Sequence, residues 1–515
     1  MFELQHTTPW YRSSTTLLFL SILLPPIGLV LLWLQAKPLR WKVTRSVGVL
    51  LLVAGYFSLF SLYRRSGRNE AHYAELEAHR AQQQREAQTQ AQSVQGPASA
   101  TSPQQNATGV QSSPNAPSTS TSTEEAAHGS KNYWTSFRGP NRDGRYDEMP
   151  VLTKWPAQGL PLVWKEPVGV GYASVTIADG RVYTIEQRRR QEVVAAYDVN
   201  TGRELWTQGW NAEYTDETGD GPRTTPTWDD GWLYALGATG ELRCINAKTG
   251  EVRWGKNILS DNQAENLPWA MAASPLIVDD KVIVLPGGTN GRSVVAYNKV
   301  TGAPVWRVQN DRQAYVSPML VTLAGRRQIV VVSASRVFGL APEDGALLWS
   351  QAWDTDNGIN VSQPVIVDDH RFFISAGYGK GASLIEITGS GNSFQAHALW
   401  TNINMKNKFN SSVLHEGHVY GLDEGILTCL DVNTGDRKWK GGRYGYGQVL
   451  LASGHLIVLS DSGEIALVKA SPTEYTEVAR FAALDGKSWN YPAIAGGRLF
   501  VRNAKEMAVY KVGAE

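Results

Sequence analysis

The sequence predicts an all-β chain folded as an eight-bladed β-propeller of four-stranded blades, preceded by a two-helix transmembrane hairpin. Three observations carry this. A seven-residue phrase followed by an aromatic recurs through residues 132–515 at a mean interval of about 45 residues, within the ~40–50 residues of a four-stranded blade. Between its copies lie paired runs of β-branched and aromatic residues joined by Asp-Asp, Asp-Gly or Gly-Gly, a hairpin pattern. Near the start lie two uncharged runs, residues 13–36 and 46–63.

Composition narrows the function classes. The 515 residues carry 49 Lys and Arg against 48 Asp and Glu, a net charge of +1. A near-neutral chain gives no general electrostatic case for nucleic acid. Two cysteines in the whole chain exclude a disulfide framework and a multi-cysteine metal site.

A short tail, residues 1–12, leads into the first uncharged run, which is bounded by Arg12 and Lys37; Arg45 and Arg64 bound the second. A helix crossing a ~30 Å hydrocarbon core needs about 20 apolar residues, so the first run qualifies and the second only just. Pro25-Pro26 should kink the first helix, which membrane helices tolerate. A cleaved signal peptide competes with this reading, but the residues before the run are barely basic and a second span follows. Lys37, Arg40, Lys42 and Arg45 in the connecting loop balance Arg12, Arg64, Arg65 and Arg68 on the outer flanks, a tie by the positive-inside rule. The density of charge in the short loop favours placing it in the cytoplasm, with both ends outside. The expected location is therefore a bacterial-type inner membrane with the head in the periplasm.

Residues 64–92 are rich in Ala, Gln, Glu and Arg, which reads as an exposed helical spacer. Residues 93–131 are mostly Ser, Thr, Gln, Pro and Ala, too polar to bury a core, and read as a disordered linker.

The propeller occupies residues 132–515. The phrase runs Ala196-Tyr197-Asp198-Val199-Asn200-Thr201-Gly202 then Trp206, and returns at Cys244–Gly250 then Trp254, Ala296–Gly302 then Trp306, and Cys429–Gly435 then Trp439. Weaker copies end at Trp349, Trp400 and Phe481. Gly suits the left-handed end of the turn, and Asn or Asp before it bonds back onto the turn backbone. Trp four residues later can dock on the turn of the neighbouring blade, burying its ring and satisfying its N–H. Leu162-Val163-Trp164 has no hairpin unit before it, and the unit ending at Val512 has no closing strand after it. Pairing the two closes the ring and hides its last open edge.

The pattern Ala-x-Asp-x-x-Thr-Gly-x-x-x-Trp resembles the tryptophan-docking repeat of the pyrroloquinoline quinone (PQQ) propellers. That family includes quinoprotein dehydrogenases and the BamB-like propellers of outer-membrane assembly, which bind no quinone. The resemblance covers roughly residues 133–515, and Phe137-Arg138-Gly139-Pro140-Asn141-Arg142-Asp143-Gly144 is similar to the opening segment of many PQQ-like propellers. For the dehydrogenase branch the resemblance implies vicinal cysteines in a disulfide, with a calcium held by Glu and Asn beside a catalytic Asp. This chain has no vicinal pair, and Cys244 and Cys429, expected in opposite blades, are too far apart to join in a disulfide. No catalytic residue is assigned, and no cofactor is expected, with PQQ plus calcium as the alternative.

Propeller ligands sit on the central axis, against residues just before the innermost strands. Here these are Tyr172, Arg223, Trp269, Tyr315, Asn360, Asn410, Tyr446 and Trp489, one per blade. They could clamp a planar anion or touch a peptide. Asp216, Glu217 and Asp220 read as a solvated acidic loop, and His415 and His418 as flanks of a turn, so no metal ligands are assigned. The resulting expectation is a non-catalytic scaffold binding an envelope protein or peptide. The alternatives are a PQQ-dependent dehydrogenase acting on an alcohol or sugar, and a sensor reporting through the hairpin.

Overall fold

The computed structural model describes residues 25–34, 37–94, 133–391 and 393–514. The chain divides into two units, residues 1–75 and 76–515. In the first, α1 (Pro25–Trp33) is followed by the start of α2 (Leu39–Val94), and Trp33 Nε1 donates to Ser46 Oγ at 3.0 Å. Among the described residues no helix is long and apolar enough to cross a membrane. Residues 13–24 and 35–36 of the expected first span lie outside the described residues, as does the linker from residue 95 onward. The 64–92 stretch is helical but not exposed all round, because Leu76 and Arg80 are buried. Leu76, His79, Arg80 and Gln83 share one helix face at i, i+3, i+4 and i+7, and that face is covered.

The second unit is an eight-bladed propeller. Eight antiparallel sheets occupy residues 176–211, 227–257, 276–308, 319–352, 365–402, 413–443 and 448–482 (blades I to VII), and 493–511 with 162–167 (blade VIII). In the last, Leu162–Pro167 pairs antiparallel with Glu506–Lys511, Trp164 opposite Val509, so the ring closes with the strand expected to close it. Blade VII has a fifth strand the repeat does not encode. Arg145–Tyr146 pairs parallel with the innermost strand, Gln448–Ala452, which no hairpin pattern could signal.

The middle strands of each blade are buried on both faces, as in Arg181–Arg188 and Gln191–Asp198, whereas the outer strand Glu204–Asn211 is mostly part-exposed. The core is thus a circle of sheet-to-sheet interfaces, such as Val330, Val332 and Trp349 of blade IV against Phe372, Ile374 and Ile385 of blade V. The tryptophans dock as expected. Trp164, Trp206, Trp254 and Trp400 donate Nε1 to Val199, Ala247, Lys299 and Val432 carbonyls of the next blade at 3.0, 3.2, 3.1 and 3.0 Å. Asp198 Oδ1 accepts from Asn200 and Thr201 N–H at 3.0 and 2.9 Å, closing the turn on which Trp164 rests.

The degenerate copies have structural reasons. In blade V a long hairpin, Gly381–Ser390 with Ser393–Asn402, replaces the Asn-x-Thr-Gly turn. Trp349 therefore has no turn to dock on, and its Nε1 donates to Gln328 of its own blade. Phe481 has no N–H to satisfy and packs against Gly159, where a Cβ would lie 2.5 Å from the ring.

Candidate functional site: an aromatic cavity on the propeller axis

A belt of hydrogen bonds surrounds the axis and fixes the blades' inner ends. The N–H groups of Ser174, Thr225, Ser274, Ser317 and Gln363 donate in turn to Thr225 Oγ1, Ser274 Oγ, Ser317 Oγ, Gln363 Oε1 and Ser411 Oγ at 2.8–3.1 Å. Gln448 Nε2 donates to the Phe409 and Trp489 carbonyls at 2.9 and 3.0 Å, and Asn490 Nδ2 donates to Ala173 O at 2.7 Å, completing the circle. The belt was legible as a recurring polar residue before Pro226, Pro275, Pro318 and Pro364, a signal the repeat phrase overshadowed.

The opening segment runs into the channel. Arg142 is buried, with Nη1 donating to Ser274 and Pro318 carbonyls at 3.2 and 2.9 Å and Nη2 to Thr227 Oγ1 at 3.3 Å and to Pro275 O. It thereby ties together the inner ends of blades II, III and IV. Its partners are neutral oxygens, and burial alone lowers its pKa to about 9. Arg138 donates Nη2 to Asp143 O and Ser412 O at 2.9 and 2.8 Å and lies 4.7 Å from the Tyr491 ring centre.

Beside this plug lies a cavity of about 240 Å³. Five of the eight axial residues named from the sequence line it: Tyr172, Arg223, Trp269, Tyr315 and Trp489. The other three do not. Asn360 is buried and spends Nδ2 on the Ser333 and Trp353 carbonyls at 2.8 and 3.2 Å. Asn410 is buried and accepts from Asn407 Nδ2 at 2.8 Å. Tyr446 packs behind the wall, 4.9 Å from the Phe409 ring and 6.2 Å from Trp489. Short amides at these positions are held by nearby loop groups, backbone for Asn360 and the Asn407 side chain for Asn410, instead of reaching the axis.

Residues the repeat logic missed complete the wall. Phe137 comes from the plug, Phe409 and Tyr491 stand beside predicted positions, and Tyr378 comes from the turn before Gly381–Ser390 of blade V. Phe409 stacks on Trp489 at 5.1 Å and 28°. A second depression of about 370 Å³ shares Trp269, Tyr315, Ile359 and Tyr378 with the first.

The polar character is one-sided. Arg223 Nη2 donates to Gly219 O at 2.8 Å and Nη1 to Gly221 O, and the guanidinium lies 4.5 Å from the Tyr214 ring centre. Burial holds its pKa below the ordinary arginine value, and it stays a cation. Lys487 Nζ lies 3.4 Å from the Trp489 ring centre, and Lys408 Nζ 5.0 Å from that of Tyr378. Burial pushes the Tyr315 and Tyr491 hydroxyls up to about 12, so both are neutral donors at physiological pH. Among the described residues, no Asp, Glu or His lines the cavity.

That donor set does not fit a calcium–quinone pair. Calcium takes carboxylate and carbonyl oxygens, and among the described residues no group of three or more His, Cys, Asp and Glu is placed to hold a metal. Cys244 and Cys429 are buried and free in blades II and VI. Asp216 Oδ1 accepts from its own loop, from Thr218 N–H at 2.6 Å. His415 and His418 pair across a turn.

Comparison with known proteins agrees with this architecture. A family profile described as "Outer membrane protein assembly factor BamB" matches residues 189–441. BamB of Moraxella catarrhalis superposes with a TM-score of 0.52 at 17% identity, over 68% of this chain and 99% of that one. The chain belongs to the PQQ-like β-propeller family. Its members differ in activity. The quinohemoprotein alcohol dehydrogenase ADHIIG of Pseudomonas putida gives a TM-score of 0.54 at 14% identity, over 75% of this propeller chain and 81% of the enzyme. At such identities the likeness is one of fold. By sequence, 1-butanol dehydrogenase (cytochrome c) of Thauera butanivorans is 28% identical over 164 residues, 30% of this chain. BamB of Shewanella oneidensis is 27% identical over 174 residues, 31% of this chain. These matches span 22% and 40% of the two relatives' lengths.

Proposed function

We propose that this PQQ-like propeller is a non-catalytic binding protein of the cell envelope, anchored through residues 13–63 with its head outside the cytoplasm. One observation carries the reading: among the described residues, the axial cavity is walled mainly by aromatic rings, with aliphatic and neutral polar side chains between them, one guanidinium and no carboxylate in its lining. Such a wall grips a flat or aromatic group and offsets negative charge through Arg223. It places no base to take a proton from an alcohol. The occupant that suits a scaffold is an aromatic, acidic segment of an envelope protein. The location rests on the two uncharged runs and on the company of BamB-like relatives.

A PQQ-dependent dehydrogenase is the second reading, favoured by the stacked Phe409 and Trp489 and by the dehydrogenase relatives. The purified chain titrated with PQQ, with and without calcium, separates the two. Calorimetry and the fluorescence of Trp269 and Trp489 report binding, and an artificial electron acceptor reports turnover with alcohols and sugars. The scaffold reading expects no calcium-dependent binding and no dye reduction. It also expects a photo-cross-linking residue at Trp269 to reach an envelope protein in intact cells. Calcium-dependent quinone binding with turnover, lost in Trp489→Ala, overturns it.

A further inference from the structure

We propose that residues 76–83 of α2 are a clamp seated on the closure joint of the ring, a docking surface whose occupant is the chain's own helix. The surface spans two blades. Glu166 and Pro167 belong to the closing strand of blade VIII, whereas Glu204 belongs to blade I and Arg188 and Arg189 to the end of its second strand and the turn after it.

Glu166 is the centre of the joint. Its side chain is 12% exposed, and its Oε2 accepts from His79 Nε2 at 2.6 Å, Gln83 Nε2 at 3.0 Å and Arg80 Nη1 at 3.4 Å. All three donors come from the helix, more than eighty residues away in sequence. Arg80 binds both blades at once. Its Nη2 donates to Pro167 O at 2.7 Å, and its Nε lies 3.3 Å from Glu204 Oε2. The guanidinium sits 5.1 Å from the Tyr197 ring centre of blade I. At the margin, Arg189 Nε and Nη2 donate to Glu77 at 2.9 and 3.1 Å.

The charges are complementary and the spacing helical. The joint offers Glu166 and Glu204, and the helix answers with His79, Arg80 and Gln83 on the face that also buries Leu76. A mostly buried carboxylate whose donors all come from one helix is costly to leave bare, which argues that the surface is built for that helix. The chain itself can supply it. The residues between Val94 and Tyr133, at roughly 3.3 Å each when extended, reach any point on the ring. The consequence is mechanical. A propeller opens where its ends meet, and the clamp ties the closing strand to the next blade there. That strand runs on to Tyr172 in the cavity wall, its path held by Arg502 Nη2 donating to Gly169 O at 3.0 Å.

Cross-linking the full chain tests this. Cysteines at Glu77→Cys and Arg189→Cys are bridged with a short bismaleimide, while the native cysteines stay buried. The expected product is a cross-linked monomer in high yield, cut at least ten-fold when Arg80→Glu is added. Circular dichroism of that variant keeps its sheet signature, and hydrogen exchange over residues 162–167 speeds up at least ten-fold. Absence of cross-linking in the Arg80 parent overturns the docking. A cross-linked dimer overturns the assignment to the chain's own helix. Unchanged yield and exchange in Arg80→Glu overturn the role given to Arg80.

Discussion

Substituting one turn glycine tests whether tryptophan docking, and not the turn alone, holds neighbouring blades together. Gly302 closes the Asn298-to-Gly302 turn of blade III with φ +69°, and a Cβ there would lie 2.8 Å from Cδ2 of Trp254 and 2.9 Å from its Cε3. Gly302→Ala therefore meets two costs. The left-handed backbone costs a β-carbon about 1 kcal/mol. The indole must then lift away, which forfeits its bond to Lys299 O at 3.1 Å, net about 1 kcal/mol. It also exposes on the order of a third of its buried ring, about 2 kcal/mol at roughly 25 cal/mol per Å². The total is about 4 kcal/mol by these principles. Gly231 is the internal control: it has φ +79°, and a Cβ there would meet nothing within 4 Å, so Gly231→Ala should cost about 1 kcal/mol. Urea unfolding of the purified chain, followed by far-ultraviolet circular dichroism, compares the two midpoints. Equal midpoints would refute the idea that the stacked indole carries the difference.

Three further outcomes follow from the same geometry. Arg142→Ala takes the guanidinium donor from the Ser274, Pro275 and Pro318 carbonyls, of which Pro275 O keeps the Thr227 hydroxyl. It should cost about 3 kcal/mol in unfolding free energy, and Arg142→Lys should recover only part of that, since an ammonium cannot reach three carbonyls as a flat fork does. Glu192 is buried against Ala238 N–H and Trp210 Nε1 at 2.7 and 3.0 Å, and desolvation raises its pKa from 4.5 to about 7. Its folded pKa exceeds its unfolded one, so this group makes stability fall as pH rises from about 4.5 to about 7, by at most about 3 kcal/mol. Glu192→Gln should flatten that share of the curve between about pH 4.5 and about pH 7, read from urea midpoints, while itself losing one of the two hydrogen bonds. Burial pushes the Cys244 and Cys429 thiols up to about 11 and about 12, so a thiol reagent should label neither in the native chain and both in urea.

The residues themselves determined the blade count, the four-strand unit and the partner of the closing strand. Each of these depends on contacts local to one repeat or on a repeat copied intact. The Asx turn of Asp198, its glycine and the tryptophan four residues later lie within nine positions of one another, so their chemistry is readable along the chain. Trp349 marks the limit. Its docking turn was absent from the next repeat, and only the structure shows the indole turning back to Gln328 instead.

The axial site was half legible for the same reason. Position before an innermost strand brings a residue to the axis, but side-chain length decides whether it arrives. Trp269 and Trp489 reach the cavity, while Asn360 stops at the loop backbone and Asn410 at the Asn407 side chain. Phe137 and Arg142 reach the channel from an opening segment outside the repeat, and Arg80 reaches Glu166 from a helix with no repeat at all. Those contacts join residues 80 or more positions apart, and nothing in a periodic pattern records which distant segment fills a given gap. Periodicity specifies the ring because every blade repeats one local bargain of turn, glycine and tryptophan. Tertiary packing alone decides what fills the centre and what grips the joint, because each of those is a single contact made once.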